Sequence, residues 1–549
     1  MRFLWNWLLQ FRFLRVQPTL LVPEKHRLQE LNDDVLREIF AAQELGLEDR
    51  LQVSLVSHRF RTLVRPLIFS QCTWSPWLGA CSFLPQTLWA HIRVLNFDGE
   101  LRILDSHRRR FMVWQLEPAI RGLTAAHTFA LTAMKGGLWP ELLDTIAAAP
   151  VLRHLIIKHM PWDGDDRDVF DFPPTLRLPP IRELEYICPY AIDESRRRPF
   201  KTKRPPHMLE SEVHNLRVVL RACHSSLESL MLPGELILRS LDASLRWTSL
   251  RELRLQGYWP DPAEVSLYSV LRLLSNLRIV SLRCESSDEV SDLGYLNPIV
   301  TSELSTQSDM FLRKLQTFEL ASLVPSDRIL SLLPPGLQEL SVIAYPVDID
   351  ANCRSAAYRY TRNTCCASDL LNIFSGVHYP AVTRLELWYR ADVSDADFLL
   401  RLPEVFPSLR YLEVHRFTPY DMDDQWNPAR TFQTVLPHFK KLRLFALEPD
   451  DPHRRYKIIP RGMVPRNAKY IRRLRSIAEE MVLLTPWLQE IWISVRFADD
   501  VRWERWDIVS APGEKICLRS PCAAETLHPQ IYAILEGPLE DAESDPEPV

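Results

Sequence analysis

Glycine is scarce in this chain, at 15 of 549 residues. That leaves little material for phosphate-cradling loops, and no GxGxxG, GxxxxGK[ST], GxSxG or HExxH motif occurs. Long apolar runs are missing too: no stretch approaches the roughly 18 uncharged apolar residues of a membrane span. Neither sign of charge prevails, since 66 Lys and Arg face 70 Asp and Glu for a net charge of -4. No global field therefore draws nucleic acid, which argues against it as a partner. The ten cysteines are scattered and form no CxxC pair, unlike a secreted disulfide framework, so an intracellular setting, cytoplasmic or nuclear, is expected.

What is present points to a large folded protein. The chain is 46% apolar and 10% aromatic, and its length exceeds what one hydrophobic core supports, so several domains or a repeat array are expected. Proline is abundant at 42 residues and can punctuate many short elements. The opening MRFLWNWLLQFRFLR is interrupted by Asn6, Gln10 and Arg12 and has no small-residue cleavage site. Residues 1–27 therefore read as an extension with a packed amphipathic helix rather than a secretory signal; a membrane-surface helix inserting Trp5, Trp7 and Phe11 is the alternative.

Residues 28–75 carry a three-helix pattern. Asn32 is placed to cap a helix whose first turn holds Asp33 and Asp34, where the helix dipole favours anions. Leu31 and Leu36 are spaced as a hydrophobic staple, and Val35, Leu36, Ile39 and Phe40 mark one apolar face. Gly46 breaks this helix. Leu51, Leu55 and Val56 fall on one side of a second, and Ser57 caps a third through Phe60, Leu63 and Val64, limited by Pro66. So small a unit is marginal alone and should seek a partner.

This stretch resembles an F-box, whose pattern appears here as Leu31-Asn32-Asp33-Asp34-Val35-Leu36-Arg37-Glu38-Ile39-Phe40, then Leu51, then Leu55-Val56-Ser57-His58-Arg59-Phe60. Asn32 stands where the family usually has proline. The resemblance implies docking on a Skp-type adaptor of a cullin–RING ubiquitin ligase through Leu31, Val35, Leu36, Ile39, Phe40, Leu51, Val56, Ser57 and Phe60.

From residue 76 to 535 a Leu-x-x-Leu-x-Leu pattern recurs. It starts at Ile92 (IRVLNF), Leu152 (LRHLII), Ile181 (IRELEY), Leu227 (LESLML), Leu250 (LRELRL), Leu277 (LRIVSL), Leu315 (LQTFEL), Leu337 (LQELSV), Val382 (VTRLEL), Leu409 (LRYLEV), Leu442 (LRLFAL) and Leu488 (LQEIWI). The shorter intervals match single leucine-rich repeats, and the longer ones imply insertions or missed units. Helical stretches precede many of them, at 141–149, 213–223, 263–274, 326–333, 367–374, 395–406, 431–439 and 471–484. The expected fold is α/β: a short all-α module, then a curved solenoid with parallel strands on the concave face and helices on the convex face. The region resembles the leucine-rich-repeat domains that commonly follow an F-box, but it lacks their usual asparagine, so irregular turns are expected.

Strand alternation sends the fourth and sixth residues of each motif inward and the third, fifth and seventh to the concave surface. That line holds Glu252, Arg254, Gln256, Ser281, Arg283, Thr317 and Glu319, then Arg384, Glu386, Trp388, Tyr411, Glu413, His415, Glu490 and Trp492. Of these, Arg254, Arg283, Glu319, Arg384, Glu386, Trp388, Tyr411, Glu413, His415 and Trp492 are the candidate substrate contacts, because aromatics and arginine dominate recognition surfaces. Solubility alone also places such residues on a strand face. Residues 194–207 (ESRRRPFKTKRPPH) and His107 to Arg110 read as basic loops, solvated or contacting phosphate, and 536–549 as an acidic disordered tail.

No catalytic constellation emerges. His154 and His159 flank a strand, Cys365-Cys366 have no neighbouring histidine, and the Asp163 to Asp168 cluster has Pro174 where a calcium loop needs glutamate. The chain is expected to be no enzyme and to need no cofactor or metal. It reads as the substrate-recognition subunit of a Skp–cullin–F-box ligase, the alternative being an F-box scaffold that binds a partner protein without ubiquitination.

Overall fold

Asn32 opens helix α1 (Asp33–Ala41), its side chain accepting from the N–H groups of Asp34 and Val35 at 2.9 Å each. Helix α2 (Leu47–Val56) starts at Gly46, whose N–H donates to Asp49 Oδ2 at 3.1 Å. Ser57 caps α3 (His58–Ile68) by accepting from Phe60 N–H at 3.1 Å. Pro66 does not stop α3, which runs on to Ile68; so near the end, the ring removes only one backbone bond. Arg59 ties α3 back to α1 by pairing with Asp33 and donating to the Leu31 carbonyl, both at 2.6 Å. Leu36, Phe40, Leu45, Val53, Phe60, Leu63 and Val64 form a small separate core with Leu31 packed against it. Within it the Phe40 and Phe60 rings meet edge-on, 5.5 Å apart.

The computed structural model describes residues 31–42, 45–74, 83–98, 106–134, 140–159, 172–187, 192–193, 198–199, 206–259, 267–285, 299–300, 311–344, 364–418, 427–448, 468–483, 485, 487–497, 500–509 and 517–519. The extension 1–27, the aspartates Asp163 to Asp168, most of 194–207 and the tail 536–549 lie outside the described residues.

Strand β1 (Gln71–Trp74) follows α3 after two residues and belongs to the solenoid sheet. Next come β2 (Val94–Asp98), β3 (Thr128–Met134), β4 (His154–His159) and β5 (Glu183–Ile187). A small antiparallel pair, β6 (Ile192–Asp193) and β7 (Arg198–Pro199), stands apart. The sheet continues through β8 (Ser229–Pro233), β9 (Glu252–Tyr258), β10 (Ile279–Glu285), β11 (Thr317–Ala321), β12 (Glu339–Ile343), β13 (Arg384–Arg390), β14 (Tyr411–Phe417), β15 (Leu444–Glu448) and β16 (Glu490–Phe497). Its 16 strands lie in chain order. All pair in parallel until β17 (Asp500–Val509) and β18 (Cys517–Arg519) close the end antiparallel.

Each Leu-x-x-Leu-x-Leu motif carries a strand beginning at its third residue. The long Ile92-to-Leu152 interval hides β3, where Ala126, Phe129 and Leu131 fill the three apolar slots. Instead of an asparagine ladder, the backbone of each motif's second residue holds successive turns together. Arg182 N–H donates to Arg153 O, Arg278 to Arg251, Arg410 to Thr383 and Arg443 to Arg410, at 2.7 to 2.9 Å. These bonds extend the parallel ladder one rung ahead of the strands.

Helices α4 (Ser106–Gly122), α5 (Pro140–Ala147), α6 (Pro206–Cys223), α7 (Gly234–Ser240), α8 (Leu267–Leu273), α9 (Ile329–Leu332), α10 (Ala367–Ser375), α11 (Asp395–Val405), α12 (Pro428–Val435) and α13 (Ala468–Val482) cover the inward face of the sheet. All eight expected helical stretches are there. The basic run His107 to Arg110 is a correction, since it lies in α4 rather than in a loop. One core runs from Cys72 to Ile493 without a break. A buried ion pair, Arg416 Nε to Asp395 Oδ2 at 2.7 Å, joins β14 to α11, and Tyr389 donates to the other oxygen of Asp395 at 2.7 Å. Among the described residues no helix is long and apolar enough to cross a membrane.

Candidate recognition surfaces

The helical module presents apolar side chains that its own core does not use. Leu47 is 59% exposed, Leu51 38% and Leu55 70%, at successive i, i+4 positions along one face of α2. Val56, at the end of α2, and Val35 on α1 are also exposed, at 61% and 41%. Of the residues singled out from sequence, Val35, Leu51 and Val56 are on this surface. Leu36, Phe40 and Phe60 are buried inside the module, Leu31 and Ile39 lean on that core, and Ser57 is the α3 cap. These last residues shape the module rather than line its outside. Leu47 and Leu55 were missed as surface residues, although the Leu47–Leu51–Leu55 spacing marks them.

The concave face follows the expected alternation. Along β9, Leu253 and Leu255 are buried while Arg254 is exposed. Cross-strand register sets Glu319 beside Ser341, Ser341 beside Glu386, and Glu386 beside Glu413. Most charges there are spoken for: Arg254 pairs with Glu252 at 2.7 Å, Arg283 with Glu319, and Trp492 Nε1 donates to Glu490 at 2.9 Å. The Arg384 guanidinium lies 4.3 Å from the centre of the Tyr411 ring, a cation–π contact.

Trp388 and His415 depart from the expectation. Trp388 is buried with Ala321, Ile343 and Ala344, and Phe417 packs against them. His415 stacks on Trp388 with centroids 4.1 Å apart. Its Nδ1 lies 2.6 Å from Glu448 Oε2 and its Nε2 2.9 Å from Glu413 Oε1, with only 5% of the side chain exposed. Burial alone would keep the imidazole neutral, but the two carboxylates reverse this and raise its pKa to about 9. Burial and the Glu413 charge push the Glu386 carboxyl up, whereas Glu413, despite burial, is held below the usual range by His415. Donor atoms of Glu386, Glu413 and His415 lie within 4.8 Å of one another, the one such group among the described residues. This set went unforeseen because strand register, invisible in the sequence, brings it together. With both ring nitrogens facing carboxylates, the histidine cation offsets one of the two negative charges it bridges.

No protein-family model matches the chain, and no curated protein matches it. Among solved structures, a chain in the crystal structure of the Rad7 and Elc1 complex in yeast is similar over 76% of this chain and 88% of its own, with 11% identity and a TM-score of 0.28. Likeness at that level carries no argument about function.

Proposed function

We propose that this protein is the substrate-recognition subunit of a Skp–cullin–F-box ubiquitin ligase. The observation that carries the reading is the exposed Leu47–Leu51–Leu55 stripe on a module whose sequence resembles an F-box. Exposed apolar stripes of this kind mark docking sites. The Skp-type adaptor covers this face, and the solenoid holds a protein substrate on its concave side through Arg254, Arg283, Glu319, Arg384, Glu386, Tyr411, Glu413 and Trp492, with Trp388 and His415 as its buried support. The protein supplies effective concentration and performs no chemistry itself.

The test is adaptor affinity for the full chain against a Leu51→Asp/Leu55→Asp variant. Both sites are exposed, so the module core is untouched. Binding is expected to fall at least about a hundredfold, since two anchor side chains become charged. Undiminished affinity would remove the proposed surface.

A further inference from the structure

A second charged feature lies at the rim where the parallel strands begin. Because every strand in this part of the sheet runs the same way, the turns ahead of them line one edge of the solenoid. In the five residues ahead of each strand from β2 to β16, leaving out the β6–β7 pair, Lys and Arg recur at 93, 153, 182, 251, 278, 313, 314, 410, 440, 441 and 443, and Glu228 is the sole acid. A rim kept for solubility alone would mix signs, as surfaces ordinarily do, and the chain as a whole has more acids than bases.

The pattern centres on the second motif residue. Arg93, Arg153, Arg251, Arg278, Arg410 and Arg443 are all exposed there, and none has an ion-pair partner among the described residues. Arg182 pairs with Glu228 at 3.5 Å. Arginines on adjacent strands stand side by side, Arg251 next to Arg278 and Arg410 next to Arg443, joined by backbone bonds of 2.7 and 2.9 Å. Like charges on neighbouring strands about 4.8 Å apart are unfavourable, and an anionic ligand removes that repulsion.

We infer that this arginine rim binds an extended acidic segment of a partner protein. Guanidinium forks suit carboxylates, which they grip with two parallel bonds. On a stiff backbone, the rim groups its bases over successive turns from Arg251 to Lys314 and again from Arg410 to Arg443, matching runs of side-chain carboxylates. Single-stranded nucleic acid would want a series of aromatic platforms, yet Trp247, Tyr379, Phe406 and Phe439 of these turns are buried, and only Trp487 is exposed and Trp89 half-buried, at opposite ends of the rim. The inference is independent of adaptor docking, because the rim and the helical module are altered separately.

The test uses the full-length protein and a fluorescein-labelled oligoglutamate followed by anisotropy, with an oligothymidylate of equal charge as comparison. Saturable oligoglutamate binding is expected, weakened at least about tenfold by Arg251→Gln/Arg278→Gln and again by Arg410→Gln/Arg443→Gln. The charge-keeping Arg251→Lys/Arg278→Lys pair should fall between. A Lys201→Gln/Lys203→Gln variant in the basic 194–207 stretch should bind like wild type. Absence of binding, wild-type affinity in both glutamine pairs, loss confined to the 194–207 variant, or tighter binding of oligothymidylate would each overturn the inference.

Discussion

The helical module and the solenoid bury apolar side chains in opposite ways. The module closes a core of seven side chains between three helices and leaves five large aliphatic ones outside. The solenoid stacks its leucines into one cluster from β1 to β16, each turn supporting the next. A unit that cannot bury its own apolar surface relies on something else to cover it, whereas among the described residues the solenoid's exposed apolar side chains, such as Trp114 and Val393, are scattered and its rim offers charge instead. The two meet within two residues, between the end of α3 and β1. Arg65 also reaches over to the Thr87 carbonyl at 2.9 Å. On the proposed reading, this short connection keeps the adaptor near the substrate.

The largest effect that would break this contrast is Phe60→Ala. Removing that ring should cost about 3–5 kcal/mol, enough to unfold α1 to α3 while the sheet persists. Hydrogen exchange should then show fast amides over 33–68 and unchanged protection in β8 to β15. A uniform loss across both regions would mean the two cores are one.

Smaller, on the order of 3 kcal/mol, is the contribution of the buried histidine cation. Its folded pKa of about 9 lies above the unfolded value of 6.5, so its stabilisation is complete below that unfolded value and is lost as pH rises through 9. Wild-type thermal stability should fall across that window, and His415→Gln should flatten the fall. Near the limit of detection is Asn32→Ala, which deletes the α1 cap at about 1 kcal/mol. It should accelerate exchange in α1 and leave the solenoid unchanged.

Much of this architecture was legible from the sequence because parallel strands backed by helices impose a strict code. Leu253 and Leu255 must point inward, so Arg254 must point out, and the same holds motif after motif. The code failed where a slot was filled atypically: Ala126 hid β3. It also failed where one strand's neighbours decide the outcome. Trp388 occupies an outward position, but Ala321 and Ile343 beside it make a dry patch that takes it in. In the module, helical periodicity located the apolar residues but not which of them the three-helix packing would use. Phe40 and Phe60 went inside, while Leu47 and Leu55 were left out. The rim arginines were readable in seven of the twelve motifs, yet their meaning depends on the turns lying along a single edge, which only the fold shows.

The most direct test of the central claim is hydrogen exchange on the full chain with and without a purified Skp-type adaptor. Amides of 47–56 should gain protection on adaptor addition, with the concave strands β9 to β14 unaffected. Unchanged exchange in 47–56, or protection confined to the solenoid, would contradict the assignment of the exposed α2 face as the docking surface.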